Sequence, residues 1–168
     1  MSVNLSRAEI IGPPLVADVQ DALRASGIAP ACLQSEVTES LAAENPIIQA
    51  RLYELKALGV MLAPDDFGTG CSSLASLHQW PVDVTKIDRS FVSQIDTSAH
   101  HRVLVEATVR VARSLSLGLG TVVEGVETAS RAQMLKALHC AKCQGYLYAR
   151  PLPVIAATQW LAARLPRG

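Results

Sequence analysis

Val60-Met61-Leu62-Ala63-Pro64-Asp65-Asp66-Phe67-Gly68-Thr69-Gly70 is the stretch that decides the fold of this chain. A short apolar run ends in two adjacent carboxylates, and a turn-forming Gly-Thr-Gly follows them directly. This pattern predicts a buried strand that delivers acidic side chains to its C-terminal end. For an isolated Asp-Asp pair, a solvated turn that caps the next helix is the more ordinary interpretation. The rest of the chain decides between the two.

Similar apolar runs recur along the whole sequence and predict six strands. They are Ser2–Leu5, Leu33–Val37, Val60–Pro64, Val82–Ile87, Leu119–Val123 and Gly145–Tyr148. Amphipathic segments with recognisable ends lie between the runs. The predicted helices run from near Pro13 to Gly27, from the N-cap Asn45 to Gly59, from around Ser72, from Ala99 to Leu117, from the cap Thr128, and from Val154 to Leu165. In the fourth of these helices, the spacing predicts one apolar face that contains Leu104, Ala107, Val111 and Leu115.

This alternation of strands and helices favours parallel strands that are buried on both faces. The six units average about 28 residues, close to the spacing of a (β/α)₈ barrel, which holds eight units in ~250 residues. We therefore predict a single α/β domain over residues 1–168, folded as an incomplete TIM-like barrel with about six of eight βα units. A doubly wound open sheet is the alternative, but its Gly-rich dinucleotide fingerprint is absent after the first strand.

Composition argues against several classes of function. The 15 basic residues balance 15 acidic ones, whereas a protein that binds nucleic-acid polymers needs a basic surface. Aromatic residues make up only 4% of the chain, which disfavours base-stacking platforms. No apolar run approaches the ~18 residues expected of a membrane helix, and no signal-peptide pattern follows Met1. We therefore expect a cytoplasmic protein without a membrane segment.

Polar side chains stand where each predicted strand ends, which is the face on which βα barrels place their chemistry. They are Asn4, Glu36, Asp65 with Asp66, Lys86, Glu124 with Glu127, and Gln144. Carboxylate and amide oxygens suit a hard divalent cation. Lys86 lies inside an apolar strand pattern, where a lysine is favourable only if it pairs with acids. Two metals about 4 Å apart, bridged by Asp65, would suit phosphodiester hydrolysis, with the lysine beside the attacking water.

Two further features flank this predicted site. The glycine-rich segment Asp66-Phe67-Gly68-Thr69-Gly70 is predicted to form a flexible flap, and Glu39 is placed to hold the amides of that flap. Cys140-Ala141-Lys142-Cys143 has the spacing of a zinc or redox motif, but no second close pair accompanies it. We therefore favour ordinary packing for Cys140 and Cys143, with metal or redox chemistry as the alternative.

Residues from Asn4 to about Pro151 resemble the EAL family of cyclic di-GMP phosphodiesterases. The matching motifs are Asn4-Leu5-Ser6, Glu36-Val37-Thr38-Glu39-Ser40, Asp65-Asp66-Phe67-Gly68-Thr69-Gly70, Lys86-Ile87-Asp88-Arg89-Ser90-Phe91, Glu124-Gly125-Val126-Glu127-Thr128 and Gln144-Gly145-Tyr146. The resemblance implies that Asn4, Glu36, Asp65 and Asp66 bind two Mg²⁺ or Mn²⁺ ions and that Asp66, Lys86 and Glu124 act in catalysis. The resemblance further implies a supporting or substrate-binding role for Glu127, Gln144, Glu39, Gly68 and Thr69.

The sequence departs from that family in one respect that affects activity. It contains no Glu-Ala-Leu motif, whose Glu is a metal ligand in the family, and no Arg shortly after such a motif. We expect residues 1–168 to be the C-terminal part of an EAL domain, with impaired hydrolysis of cyclic di-GMP to linear pGpG. The alternatives are a non-catalytic module that binds cyclic di-GMP or a partner protein, and a fragment without an independent role. Open sheet edges also suggest a homodimer.

Overall fold

Two three-stranded parallel sheets form the centre of the protein, for which a computed structural model describes residues 1–38, 41, 45–65, 81–114, 120–140 and 142–164. One sheet contains β1 (Ser2–Asn4), β2 (Gln34–Thr38) and β3 (Met61–Asp65), paired in that order. The other contains β4 (Val84–Ile87), β5 (Gly120–Val123) and β6 (Lys142–Cys143), also paired in chain order. The α/β prediction is therefore confirmed. The described strands do not close into a barrel.

The two sheets meet through β3 and the residue that precedes β4. The Asp83 amide donates to the Leu62 carbonyl at 2.9 Å, and the Leu62 amide donates to Asp83 Oδ2, also at 2.9 Å. Ala63, Val84 and Val122 are buried together on the shared inner face, and Met61 packs against them. The six strands thus follow one another around a common interior in the order of the chain.

Helices cover the outer face of the strands. They are α1 (Arg7–Ile11), α2 (Leu15–Ser26), a 3₁₀ turn at Pro30–Cys32, α3 (Pro46–Ala57), α4 (Arg89–Val92), α5 (Ala99–Ser114), α6 (Ala129–Ala137) and α7 (Val154–Ala162). The predicted caps are confirmed, since Asn45 accepts a hydrogen bond from the Ile47 amide and Thr128 accepts one from the Arg131 amide. Gly27 ends α2 in a left-handed conformation, with φ of 68°.

Each half of the chain has its own apolar core between strands and helices. In the first half, Ile48, Leu52 and Leu55 of α3 pack with Leu62 of β3 and with Ile10 of α1. The second core combines β4, β5 and the helices α4 to α6; its buried members are Ile87, Val92, Ile95, Val105, Val109, Val123, Val126 and Leu135. Burial of the outer strand faces by helices is what the uninterrupted apolar runs predict for a parallel sheet.

Two predictions about individual elements are wrong. The sixth strand lies at Lys142–Cys143, and the predicted segment Gly145–Tyr148 is a turn. A Cβ placed on Gly145 would lie 2.2 Å from the Val126 carbonyl oxygen, so two backbones meet where the strand was expected to continue. On α5 the buried positions are Val105 and Val109, whereas Ala107, placed on the apolar face by spacing, is exposed. The helix predicted around Ser72 lies outside the described residues.

Candidate metal and phosphodiester site

The ammonium group of Lys86 lies at the centre of three carboxylates. Its Nζ is 2.6 Å from Glu36 Oε2, 2.7 Å from Asp65 Oδ1 and 2.8 Å from Glu124 Oε1. Lys86 is 4% exposed and Glu36 is 7% exposed, so the centre of the cluster is removed from water. The prediction that Lys86 would be buried only together with acids is confirmed. We refer to these four residues as the Lys86 cluster.

Strand register explains why residues so distant in sequence converge. Asn4 is paired with Glu36, and Glu36 is paired with Ala63, two residues before Asp65. In the second sheet Lys86 is paired with Val122, two residues before Glu124. Because successive side chains alternate between the two faces of a strand, residues two apart share a face. The parallel strands therefore deliver all these side chains to one face, at their C-terminal ends.

The three neighbouring carboxylates explain why Lys86 remains protonated. Burial alone would lower the pKa of Lys86, but hydrogen bonds to Asp65, Glu124 and Glu36 outweigh that effect and hold the pKa above its ordinary value. Lys86 is therefore a persistent cation and hydrogen-bond donor at neutral pH. By formal charge, three carboxylates and one ammonium leave the cluster with two uncompensated negative charges. Such an excess in a site with little water favours the entry of a cation.

Gln34 belongs to the site and was not predicted from the sequence. Its Nε2 donates to Glu36 Oε1 at 3.0 Å and to Ser2 Oγ at 3.1 Å. Gln34 thus fixes the carboxylate oxygen of Glu36 that faces away from Lys86. The available signal was its position two residues before Glu36 on the same strand, which places both on the same face. Asn4, predicted as a metal ligand, lies at the end of β1 with an exposed side chain.

A small pocket adjoins the Lys86 cluster and contains two of the supporting residues. Glu124, Glu127 and Gln144 line this space of about 180 Å³, together with Arg89, Gly125, Gly145 and Tyr146. The structure therefore brings Glu127 and Gln144 next to Glu124, as the strand-end pattern predicts. Arg89 and Tyr146 were not predicted as site residues. Four other predicted residues, Glu39, Asp66, Gly68 and Thr69, lie outside the described part of the chain.

The donor chemistry of the cluster fits a hard divalent cation. The oxygens come from the carboxylates of Glu36, Asp65 and Glu124, which is the ligand type that Mg²⁺ and Mn²⁺ select. The Asn4 amide lies at the end of the neighbouring strand β1. Within the described ranges, no three His, Cys, Asp or Glu side chains are grouped as metal ligands. Instead, Lys86 occupies the space among the carboxylates.

Cys140 and Cys143 are partly buried against the second apolar core. Burial and the neighbouring Cys143 raise the pKa of the Cys140 thiol to about 11. Burial raises the pKa of Cys143 as well, although a hydrogen bond with Tyr148 opposes the shift. A raised pKa keeps a thiol protonated, and only the thiolate binds metal or attacks a disulfide. These features agree with the packing interpretation.

The described residues combine a parallel α/β architecture with an acidic cluster around one buried lysine at the strand ends. A model of the EAL domain matches residues 1–151. The chain is 41% identical over 167 residues to the oxygen sensor protein DosP of Escherichia coli, and 40% identical over 164 residues to the cyclic di-GMP phosphodiesterase NbdA of Pseudomonas aeruginosa. These alignments include 99% and 97% of the chain but only 21% of either relative. The chain thus spans about a fifth of the length of these relatives.

Solved structures agree with this result. The MucR phosphodiesterase in complex with cyclic di-GMP superposes with a TM-score of 0.81 at 38% identity, over 93% of this chain and 63% of the other. Klebsiella pneumoniae BlrP1, solved with manganese and cyclic di-GMP, gives a TM-score of 0.81 at 32% identity, over 89% of this chain and 38% of the other. The chain belongs to the EAL domain family. Across the described residues, no helix combines the length and apolar character needed to cross a bilayer.

Proposed function

We propose that this chain binds cyclic di-GMP and takes part in its metal-dependent hydrolysis to linear pGpG. The observation that carries the proposal is the Lys86 cluster, in which one buried ammonium meets carboxylates from three different strand ends. The cyclic di-GMP complexes of MucR and BlrP1 support the choice of substrate. The manganese in the BlrP1 complex supports the choice of metal.

In this proposal Asn4, Glu36, Asp65 and Asp66 hold Mg²⁺ or Mn²⁺. A cation held there would supply electrostatic stabilisation of the charge that develops on the phosphoryl oxygens. The protein's own contribution is the orientation of water. Lys86 stays protonated, so it does not act as a base. Its three N–H groups donate to Glu36, Asp65 and Glu124, so Lys86 would hold the attacking water by giving up one of these contacts. The Glu124 carboxylate, whose Oε1 is 2.8 Å from that ammonium, accepts a hydrogen bond from the same water.

We further propose that hydrolysis by the 168-residue chain alone is slow. The sequence contains no Glu-Ala-Leu motif and therefore lacks one carboxylate that the family resemblance assigns to the metal. One oxygen ligand fewer weakens a site that depends on several anionic oxygens. The test is incubation of cyclic di-GMP with the chain and Mn²⁺, followed by chromatography for linear pGpG. Slow turnover that Lys86→Met abolishes supports the proposal, whereas rapid turnover would contradict the impairment.

A non-catalytic cyclic di-GMP-binding module is the second candidate. It is favoured by the engagement of Glu36, Asp65 and Glu124 with the Lys86 ammonium, since a metal must compete with an ion pair already formed. Calorimetric titration in Ca²⁺ separates the candidates, because BlrP1 has also been solved with calcium and cyclic di-GMP. Binding in Ca²⁺ without product in Mn²⁺ identifies a binding module. Absence of binding in either metal contradicts both candidates.

A further inference from the structure

The backbone of Arg89, at the start of α4, packs closely against Gly125 in the loop after β5. Gly125 has φ of +68°, and a Cβ placed on it would lie 2.3 Å from Arg89 Cβ and 3.1 Å from Arg89 Cα. Position 125 therefore accepts only glycine without displacing Arg89. Asp88 fixes the same turn, since its Oδ1 accepts a hydrogen bond from the Ser90 amide at 2.8 Å. The backbone at Arg89 is thus set by close packing on one side and by a cap on the other.

Arg89 lines the pocket that adjoins the Lys86 cluster. The other polar side chains there are Glu124, Glu127 and Gln144, and Tyr146 supplies an aromatic surface. Arg89 itself is exposed, and its charge interacts with the neighbouring Asp88 carboxylate. Among the described residues, no salt bridge joins Arg89 to Glu124 or Glu127. A guanidinium that shares a pocket with two carboxylates and pairs with neither leaves room for a ligand that uses both kinds of group.

The mixture of donors and acceptors in this pocket matches a guanine base. Guanine presents two acceptors, O6 and N7, on one edge, and an arginine can bind both at once. Its N1–H and 2-amino groups are donors, and a carboxylate such as Glu127 accepts from them. Adenine carries an amino donor where guanine has O6, so the same guanidinium would meet another donor. A phosphate fits less well because Glu124 and Glu127 would repel it.

We propose that Arg89 is a specificity-determining residue that binds O6 and N7 of one guanine of the cyclic dinucleotide, with Glu127 as acceptor for the N1–H and 2-amino groups. This inference rests on the proposed function, because it assigns a subsite for the same nucleotide. It adds a base-reading role to a site that otherwise handles metal and phosphate. The chemistry required of the ligand is a purine with an acceptor at position 6.

The test compares two nucleotides and three variants by calorimetry in Ca²⁺. Cyclic di-GMP and cyclic di-AMP are each titrated into the wild-type chain, Arg89→Ala and Arg89→Lys, with cyclic di-AMP measured by competition. Arg110→Ala is the matched control, because Arg110 is an exposed arginine whose side chain pairs with Glu106 on α5. Melting temperatures of all variants establish that they fold alike.

We expect Arg89→Ala to weaken cyclic di-GMP binding by about 5- to 150-fold, the range of a lost two-bond arginine–guanine contact. Arg89→Lys should lose most of the same affinity, since lysine keeps the charge without the planar fork. Cyclic di-AMP binding and the Arg110→Ala control should change less than about twofold.

Two outcomes overturn the assignment while leaving the proposed function intact. In the first, Arg89→Lys binds cyclic di-GMP as tightly as the wild type, so two-point recognition is absent. In the second, both nucleotides weaken equally in Arg89→Ala, which makes the guanidinium a phosphate contact. A wild-type chain that binds neither nucleotide overturns the proposed function and this inference together.

Discussion

Replacement of Lys86 by methionine isolates the contribution of the central ammonium. Methionine retains most of the unbranched apolar stem of the lysine but removes the charge that faces Glu36, Asp65 and Glu124. Three carboxylates then face one another with no intervening cation. Breaking a buried ion pair from one side costs roughly 3–5 kcal/mol. Because Asp65 and Glu124 keep 24% and 21% exposure, water screens part of the repulsion, and we expect a loss of about 3 kcal/mol.

The diagnostic part of this prediction is its dependence on metal. In EDTA, Lys86→Met should show the full loss of unfolding free energy. In Mn²⁺, a cation can take the place of the ammonium, and at a concentration 100 times Kd binding restores about 2.7 kcal/mol. The wild type should gain less, since its carboxylates are already engaged by Lys86. Urea unfolding followed by circular dichroism, with and without Mn²⁺, measures all four values.

Lys56→Met is the matched control for this experiment. Lys56 forms an ion pair with Asp83, but its side chain is 37% exposed, so the pair is close to a surface pair. Such pairs contribute up to about 1 kcal/mol, and Mn²⁺ should not compensate their loss. The reasoning is refuted if Lys86→Met is as stable as the wild type in EDTA. It is equally refuted if Mn²⁺ stabilises Lys86→Met no more than the control.

Three further predictions concern backbone packing, thiol reactivity and assembly. Gly145→Ala should lower the unfolding free energy by more than about 2 kcal/mol, because its Cβ would lie 2.2 Å from the Val126 carbonyl oxygen. Gly27→Ala should lower it by about 1 kcal/mol, because Gly27 has φ of +68° but open space around it. Urea unfolding measures both values. Iodoacetamide at pH 8.5 should label exposed Cys32 well before Cys140, whose pKa is raised to about 11, as measured by peptide mass spectrometry. Raising the pH towards 11 should accelerate labelling of Cys140. Equal labelling rates for the two thiols at pH 8.5 would contradict this prediction. The edges of β1 and β6, which pair with no further strand among the described residues, should promote a concentration-dependent dimer in light scattering after size exclusion. A monomer that melts cooperatively at every concentration would oppose that expectation.

The sequence allowed prediction of the elements whose signals are local. The cap at Asn45, the glycine that ends α2 and the buried positions of α3 all follow from the 3.6-residue period and from cap chemistry. The five strands from β1 to β5 were placed correctly to within two residues because apolar runs bounded by polar residues mark them. Lys86 was recognised as a paired lysine because an apolar strand offers no other favourable environment for its charge.

The errors arose where tertiary contacts decide the local structure. Tyr146 and Tyr148 gave the Gly145–Tyr148 segment the appearance of a strand, but the close approach of Val126 to Gly145 forces a turn there. Helix α1 was missed although the sequence carried its signal, the capping box formed by Ser6 and Glu9. The pairing of Gln34 with Glu36 depends on rotamers, which no sequence pattern specifies. The pocket at Arg89 could not be predicted, because it forms from three segments that are distant in sequence: the start of α4, the residues after β5 and the residues after β6.

The partners of Lys86 come from both three-stranded sheets: Glu36 and Asp65 belong to the first, while Lys86 itself and Glu124 come with the second. Separation of the two halves would leave Lys86 with Glu124 alone on one side, and Glu36 and Asp65 without a cation on the other. The complete Lys86 cluster therefore forms only when the two sheets pack together, and a molecule with one folded half lacks it. Any agent that loosens the contact between the halves, whether protease, denaturant or mutation, should abolish the proposed binding of cyclic di-GMP before either apolar core melts.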